Sequence, residues 1–232
     1  MKNAIVLLSG GLDSSTMLAV VKERGYNPYC ISFDYGQKQS IELQFAKKAA
    51  YAIAPKAMHM IVKIDLKIFG KSAITGDIEV PKYRTEAEIL SGIPVTYVPA
   101  RNTIFLSYAL AYAEVLPAND IFIGANILDY SGYPDCRPAY IEAYNTLANL
   151  ALSRAVQGEK ITIHTPLLQL NKTQIIEEGL RLGVDYSNTF SCYSPSIDDH
   201  ACGGCDACTL RLNAFKSMKL KDPITYSEEV IL

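Results

Sequence analysis

The chain has 232 residues, 49% hydrophobic and 20% charged, with a formal net charge of -2 and a pI near 5.9. This balance excludes a disordered chain and argues against a broad electrostatic grip on nucleic acid, and the length suits one large α/β domain with a small appendage. No apolar run approaches the ~18 residues of a membrane helix and Met1-Lys2-Asn3 leads directly into an apolar segment, so the expectation is a cytoplasmic protein whose six cysteines are thiols or metal ligands.

The first element is the apolar strand Ala4-Ile5-Val6-Leu7-Leu8. It runs into Ser9-Gly10-Gly11-Leu12-Asp13-Ser14-Ser15, and Thr16-Met17-Leu18-Ala19-Val20-Val21 continues as a helix. Strand, glycine turn and helix start together make a phosphate cradle. Gly10 and Gly11 let the backbone approach a ligand, while helix-start N–H groups join the Ser9, Ser14 and Ser15 hydroxyls. The Gly-Lys-Ser/Thr of a Walker loop does not follow.

Further along, residues 28–33 read as a strand ending at Asp34-Tyr35-Gly36-Gln37, residues 41–50 as a helix, and residues 59–64 as a third strand. Residues 70–93 are polar and aperiodic, which predicts a lid or a disordered excursion. Val95-Thr96-Tyr97-Val98 and residues 120–124 are two more strand candidates around an apolar helix at 104–113. A helix is expected over 138–155 with Pro138 in its first turn, then a short strand at 161–165. Asn171 caps a last helix over 172–182, with Gly183 just past its end. Alternating strands and helices predict a doubly wound α/β domain with a parallel sheet over residues 1–185. Ligands bind such sheets beyond the strands' carboxyl ends. Residues 9–15, 34–37, 99–102 and 126–137 all fall there, which predicts one crevice.

Cys192, Cys202, Cys205 and Cys208 have the spacing C-x₉-C-x₂-C-x₂-C, and Gly203-Gly204 permits a tight turn between them. Four thiolates match a structural zinc site; the closing Cys-x₂-Cys-x₂-Cys run also suits an iron–sulfur cluster, and His200 could replace one cysteine. Residues 186–232 are therefore expected to form a small C-terminal zinc-binding segment packed on the main domain. Cys30, inside a strand, reads as a small core residue. Cys136 lies in the crevice loop, where a structural role outweighs a reactive one.

Together these motifs resemble the 7-cyano-7-deazaguanine synthase family within the PP-loop ATP pyrophosphatases, enzymes that split ATP between its α and β phosphates. The resemblance is carried by Ser9-Gly10-Gly11-Leu12-Asp13-Ser14, Tyr97-Val98-Pro99-Ala100-Arg101-Asn102 and Tyr130-Ser131-Gly132-Tyr133-Pro134-Asp135-Cys136-Arg137. It continues through Thr165-Pro166-Leu167 with Asn171-Lys172 and ends with the four cysteines. One departure is Ile127-Leu128-Asp129, where family members often carry an acidic residue and a threonine just ahead of the aspartate.

The resemblance implies an adenine nucleotide alpha hydrolase-like fold and an ATP-dependent ligase of queuosine biosynthesis. Such a ligase converts 7-carboxy-7-deazaguanine and ammonia to the nitrile through adenylated acid and amide intermediates, using two ATP. It implies one structural Zn²⁺ per chain, Mg²⁺ with ATP, and a homodimer that binds neither nucleic acid nor membrane. Residues 8–18, from Leu8 to Leu18, would cradle ATP, with Asp13 on Mg²⁺. Arg101 and Lys172 would be catalytic, contacting phosphate or carboxylate. Asn102, Asp135 and Arg137 would bind substrate, the latter two reading the guanine-like edge or orienting the carboxylate. Two rivals are a tRNA-modifying PP-loop enzyme, either a thiolase using Cys136 or the cysteine cluster or a base ligase, and a zinc-ribbon binding module without catalysis. Intact Gly10, Gly11, Asp13 and Ser14 argue against the last.

Overall fold

The computed structural model describes residues 1–38, 40–89, 91–128 and 132–227. In chain order the elements are β1 (Lys2–Leu7), α1 (Leu12–Glu23), β2 (Tyr26–Asp34), α2 (Ile41–Ile53) and β3 (Met58–Lys63). The short α3 (Glu86–Ile89) precedes α4 (Arg101–Val115) and β4 (Ala118–Phe122). After them come α5 (Pro138–Ala151), α6 (Ser153–Val156), β5 (Thr162–His164), α7 (Lys172–Arg181) and α8 (Asp206–Ser217).

All strand pairs are parallel, in the order β3-β2-β1-β4-β5. β1 explains why both faces of the sheet are covered. Ile5 and Leu7 join one buried cluster and Ala4 and Val6 another, as expected when side chains alternate along a strand with no solvent face. Leu106 and Leu110 of α4 and Ile141 and Ala148 of α5 close the first cluster; Met17 and Leu18 of α1, Ala46 of α2 and Ile175 and Ile176 of α7 close the second. The doubly wound expectation holds. Strand order reverses between β2-β1 and β1-β4, which opens a crevice above the carboxyl end of β1.

Several local expectations need correcting. Residues 95–98 are not a strand. Pro94 and Pro99 bracket them, the Tyr97 N–H closes a turn on the Pro94 carbonyl at 2.9 Å, and Val98 is buried as a plug in the core. Residues 70–93 are not a free excursion either. Ser72, Ala73, Ile74 and Thr75 are buried, and the Ala73 N–H reaches the Val95 carbonyl at 2.7 Å. The stretch then straps onto the cysteine segment: the Tyr83 N–H reaches the Gly204 carbonyl at 2.7 Å, and Arg84 Nε reaches Asp206 Oδ1 at 3.0 Å. The helix expected over 138–155 breaks at the extended residue Leu152, dividing α5 from α6. By contrast, the start of α7 forms as expected. Asn171 Oδ1 accepts from the Gln174 N–H while Gln174 Oε1 accepts from the Asn171 N–H, both at 2.9 Å.

The C-terminal segment contains a further helix, α8, beyond the last helix expected over 172–182. Ala214 and Phe215 of α8 join the cluster of α1 and α7, while Phe190, Ala201, Ala207 and the four cysteines form a separate cluster. The last positions of the expected 186–232 segment, 228–232, lie outside the described residues, as do Asp129, Tyr130 and Ser131 of the crevice motif.

Candidate active site

A cleft of about 220 Å³ lies above the carboxyl ends of β1, β2 and β4. Its floor is the turn from β1 to α1. Gly10 is at φ +84°, and a Cβ there would come within 2.4 Å of the Glu42 carbonyl and the Ala46 N–H, so this position admits only glycine. The loop is held from inside and from far away. Ser14 Oγ lies 3.0 Å from Ser9 Oγ and donates to the Gly11 carbonyl at 3.2 Å, while the Ser9 N–H donates to Ser14 Oγ at 3.2 Å. The Phe190 N–H reaches the Gly10 carbonyl at 2.9 Å, and the Leu12 N–H reaches Ser191 Oγ at 3.2 Å. What remains is a ring of backbone and hydroxyl groups at the N-terminus of a 12-residue helix, an anion-binding arrangement.

Lys172, the first residue of α7, donates to both oxygens of Asp13 at 2.7 and 2.9 Å. The structure thus brings together two of the expected catalytic residues. Asp13 keeps further lone pairs, so its carboxylate suits a divalent cation. Residues 8–18, the expected ATP cradle, divide between the cleft and the core. Leu8, Ser9, Gly11, Leu12, Asp13 and Ser14 line the cleft, with Gly10 packed beneath it. Ser15, Thr16, Met17 and Leu18 do not line it: their helical positions face the core, where Thr16 Oγ1 meets the Tyr186 hydroxyl at 2.7 Å.

The opposite wall comes from the start of α4. Ala100 takes the left-handed conformation at φ +54°, and the following Arg101 and Asn102 line the cleft. The Arg101 guanidinium sits 6.0 Å from the Tyr35 ring centre. Asn102 Nδ2 donates to the Asp135 carbonyl at 3.1 Å and meets Cys136 Sγ at 3.4 Å. Asp135 does not line the cleft. It is buried beneath the first turn of α4, its Oδ2 accepting from the Asn102 N–H at 3.1 Å, and burial holds its carboxyl above the usual range. Arg137 is exposed and also outside the lining. Cys136 does line it, and burial pushes its thiol up to about 11, which keeps it protonated near neutral pH.

Sequence reasoning missed Glu42 here and put Gln37 in the crevice without giving it a task. Gln37 Oε1 accepts from the Tyr35 N–H at 2.7 Å, and its Nε2 donates to the Phe33 carbonyl at 3.1 Å and to Glu42 Oε1 at 2.9 Å. Burial raises the Glu42 carboxyl, partly offset by Arg101 and Gln37, to about 7. The available signal was an acid in the first turn of a helix whose start faces the crevice.

The four cysteine sulfurs lie within 4.8 Å of one another and are buried, so the cluster can bind a metal ion. Backbone donors surround them: the Cys202 N–H reaches Cys192 Sγ at 3.2 Å, and the Cys205 N–H reaches Cys202 Sγ at 3.3 Å. Hydrogen bonds from the neighbouring thiols and from this N–H pull Cys202 below the ordinary thiol range. One tetrahedral ion with ~2.3 Å bonds would set sulfurs ~3.8 Å apart, and Cys205 Sγ lies 4.0 Å from Cys192 Sγ. His200 is not part of the set. Cys30 is a core residue with its thiol pushed up to about 12 by burial, as expected.

Comparisons with known proteins show the family. A family model described as queuosine biosynthesis protein QueC matches residues 3–219. The chain is 57% identical over 227 residues to a 7-cyano-7-deazaguanine synthase of Paramagnetospirillum magneticum, covering 98% of this chain and 100% of that protein. It is 56% identical over 223 residues to the protein of the same name from Kineococcus radiotolerans, covering 96% and 97%. Among solved structures, a predicted subunit of tRNA methyltransferase from Methanocaldococcus jannaschii aligns with a TM-score of 0.50 at 18% identity, covering 99% of this chain and 94% of that one; it shares the fold. With the phosphate loop, the crevice and the cysteine cluster all inside the matched span, the chain belongs to the QueC family.

Proposed function

We propose that this enzyme converts 7-carboxy-7-deazaguanine and ammonia to 7-cyano-7-deazaguanine, cleaving two ATP to AMP and pyrophosphate. The observation that carries the reading is one cleft with a phosphate loop and Asp13, held by Lys172 from outside the lining, on one side and Arg101 and Asn102 on the other. A carboxylate resists attack because its leaving group would be oxide. Adenylation turns that oxygen into part of AMP, and ammonia displaces it to give the amide; adenylation of the amide oxygen then allows loss of AMP to form the nitrile. The loop N–H groups hold phosphate oxygens, Lys172 neutralises charge developing there, and Arg101 orients the substrate carboxylate. Mg²⁺ held by Asp13 would supply further charge neutralisation when bound.

Incubation with ATP, Mg²⁺, ammonium and 7-carboxy-7-deazaguanine, followed by mass analysis, tests this directly. The nitrile with two AMP per turnover is expected; ADP and phosphate as the nucleotide products would overturn it. A protonated Cys136 speaks against the tRNA thiolase rival, and the near-neutral charge supports action on free small molecules. Cys192, Cys202, Cys205 and Cys208 bind one Zn²⁺, a closed set with no position for substrate, so its role is structural. Colourless protein with stoichiometric zinc is expected, and a brown protein containing iron and sulfide would overturn this. The enzyme works as a cytoplasmic homodimer. Among the described residues no helix is long and apolar enough to cross a membrane, while α4 and α5 expose Tyr108, Val115, Leu147 and Leu150 for a second copy to cover.

A further inference from the structure

Glu42 is a cleft carboxylate to which the scheme above gives no task. It stands in the first turn of α2, with its backbone against the phosphate loop. Gln37 fixes its carboxylate: with Oε1 committed to the Tyr35 N–H and Nε2 already donating to the Phe33 carbonyl, the Gln37 amide presents only its NH₂ to Glu42. The charged and titratable groups around it are Tyr35 and Arg101, then Asp13, Tyr133, Cys136, Cys192 and Tyr193 along the cleft.

The chemistry requires a proton acceptor at the nitrogen. This atom enters as ammonium with four hydrogens and ends in a nitrile with none. In the first half, ammonium loses one proton, and its lone pair forms the C–N bond to the adenylated carboxyl carbon. The C–O bond to AMP breaks with its electron pair leaving on AMP, and a second proton is lost to give the amide. In the second half, the amide oxygen bonds to the α-phosphorus of another ATP and pyrophosphate leaves. The nitrogen then gives up its last two protons as C≡N forms and AMP departs.

Other cleft groups suit this task less well. Asp13 holds Lys172, and burial pushes the Cys136 thiol up to about 11 and raises the Tyr35 and Tyr133 hydroxyls too. A carboxylate raised to about 7 can both take a proton and release it to water. We propose that Glu42 is the general base that removes protons from the ammonia and amide nitrogen, and that Gln37 positions its carboxylate. This rests on the nitrile-forming reading of the cleft.

The test compares the wild-type enzyme with Glu42→Gln in two assays. Exchange of pyrophosphate into ATP with 7-carboxy-7-deazaguanine and no ammonia needs only adenylation, so Glu42→Gln should retain it. Its kcat/KM for ammonia should fall ~10²-fold or more, and conversion of the isolated amide to the nitrile should slow similarly. At constant free ammonia, wild-type activity should rise with pH through about 7 as the carboxyl ionises, and the variant should lose that limb. Should Glu42→Gln fail to fold, Glu42→Asp, with its carboxylate one methylene back, should show the same split. Loss of exchange in a folded variant, or survival of the pH limb in Glu42→Gln, would overturn the proposal. A wild-type enzyme that neither exchanges pyrophosphate nor forms nitrile would overturn the underlying reading, and this inference with it.

Discussion

Lys172–Asp13 and Arg211–Asp222 are both cation–carboxylate pairs at about the same distance, 2.7 Å, in very different surroundings. The Arg211 and Asp222 side chains are each 2% exposed, and their remaining groups are occupied. Arg211 also donates to Thr189 Oγ1 at 2.8 Å and to the Tyr186 carbonyl at 3.1 Å, and Asp222 Oδ2 accepts from the Tyr226 hydroxyl at 2.6 Å. Asp13, 21% exposed, opens onto the cleft and the anion-binding loop. A saturated, dry pair has one geometry and serves as a rivet between α8 and its flanking segments. A pair at a cleft wall can trade partners when phosphate or metal arrives. Burial and the number of occupied lone pairs, more than pairing itself, separate structure from function here.

The sharpest way to break this contrast is to remove one partner from each pair. Arg211→Ala leaves a buried carboxylate unpaired and should cost ~3–5 kcal/mol in chemical denaturation. Asp13→Asn should lower turnover ~10²–10³-fold, about 2.7–4 kcal/mol of transition-state stabilisation, while the denaturation midpoint moves less than in Arg211→Ala. Equal stability losses in the two variants would erase the distinction. Asn171→Ala removes the cap that seats Lys172 and should cost ~1 kcal/mol of stability. Smallest of all, Arg211→Met combined with Asp222→Leu should return to within ~1 kcal/mol of the native protein, since apolar pairs can replace buried ionic ones. A double variant as unstable as Arg211→Ala would show that the surrounding Thr189, Tyr186 and Tyr226 need the charges.

The parts of the molecule written in local sequence were legible: the apolar β1 run, the glycine turn, the Asn171 cap and the cysteine spacing each carry their own physics. Residues 95–98 misled because an apolar run between prolines looks like a strand until its missing ladder partner is known. The helix at 206–217 is hard to read from sequence because its buried face mixes Asp206, Cys208 and Arg211 with Ala207, Leu210, Ala214 and Phe215, so no clean apolar stripe marks it. Pairings across the fold were less accessible. Lys172 meets Asp13 159 positions away, and Glu42 on an amphipathic helix looks like a solvated acid until α4 places Arg101 near it. The substrate edge is half legible: Asp135 reads as a binding residue, and the start of α4 takes only its Oδ2, while Oδ1 is buried without a hydrogen-bond partner among the described residues.

The bonds from Phe190 and Ser191 to Gly10 and Leu12 span the chain, the second joining residues 179 positions apart. Their consequence concerns synthesis on the ribosome. At ~5–20 residues per second, roughly 10–40 s separate the emergence of the glycine turn from that of the segment that closes it. β1, β2 and α1 can pair early, because their contacts are near in sequence, but the Gly10 carbonyl and the Leu12 N–H must wait. A nascent chain stalled before residue 190 should therefore hold a partial sheet with an unfinished turn. The turn at the floor of the cleft is among the last parts of the molecule to close.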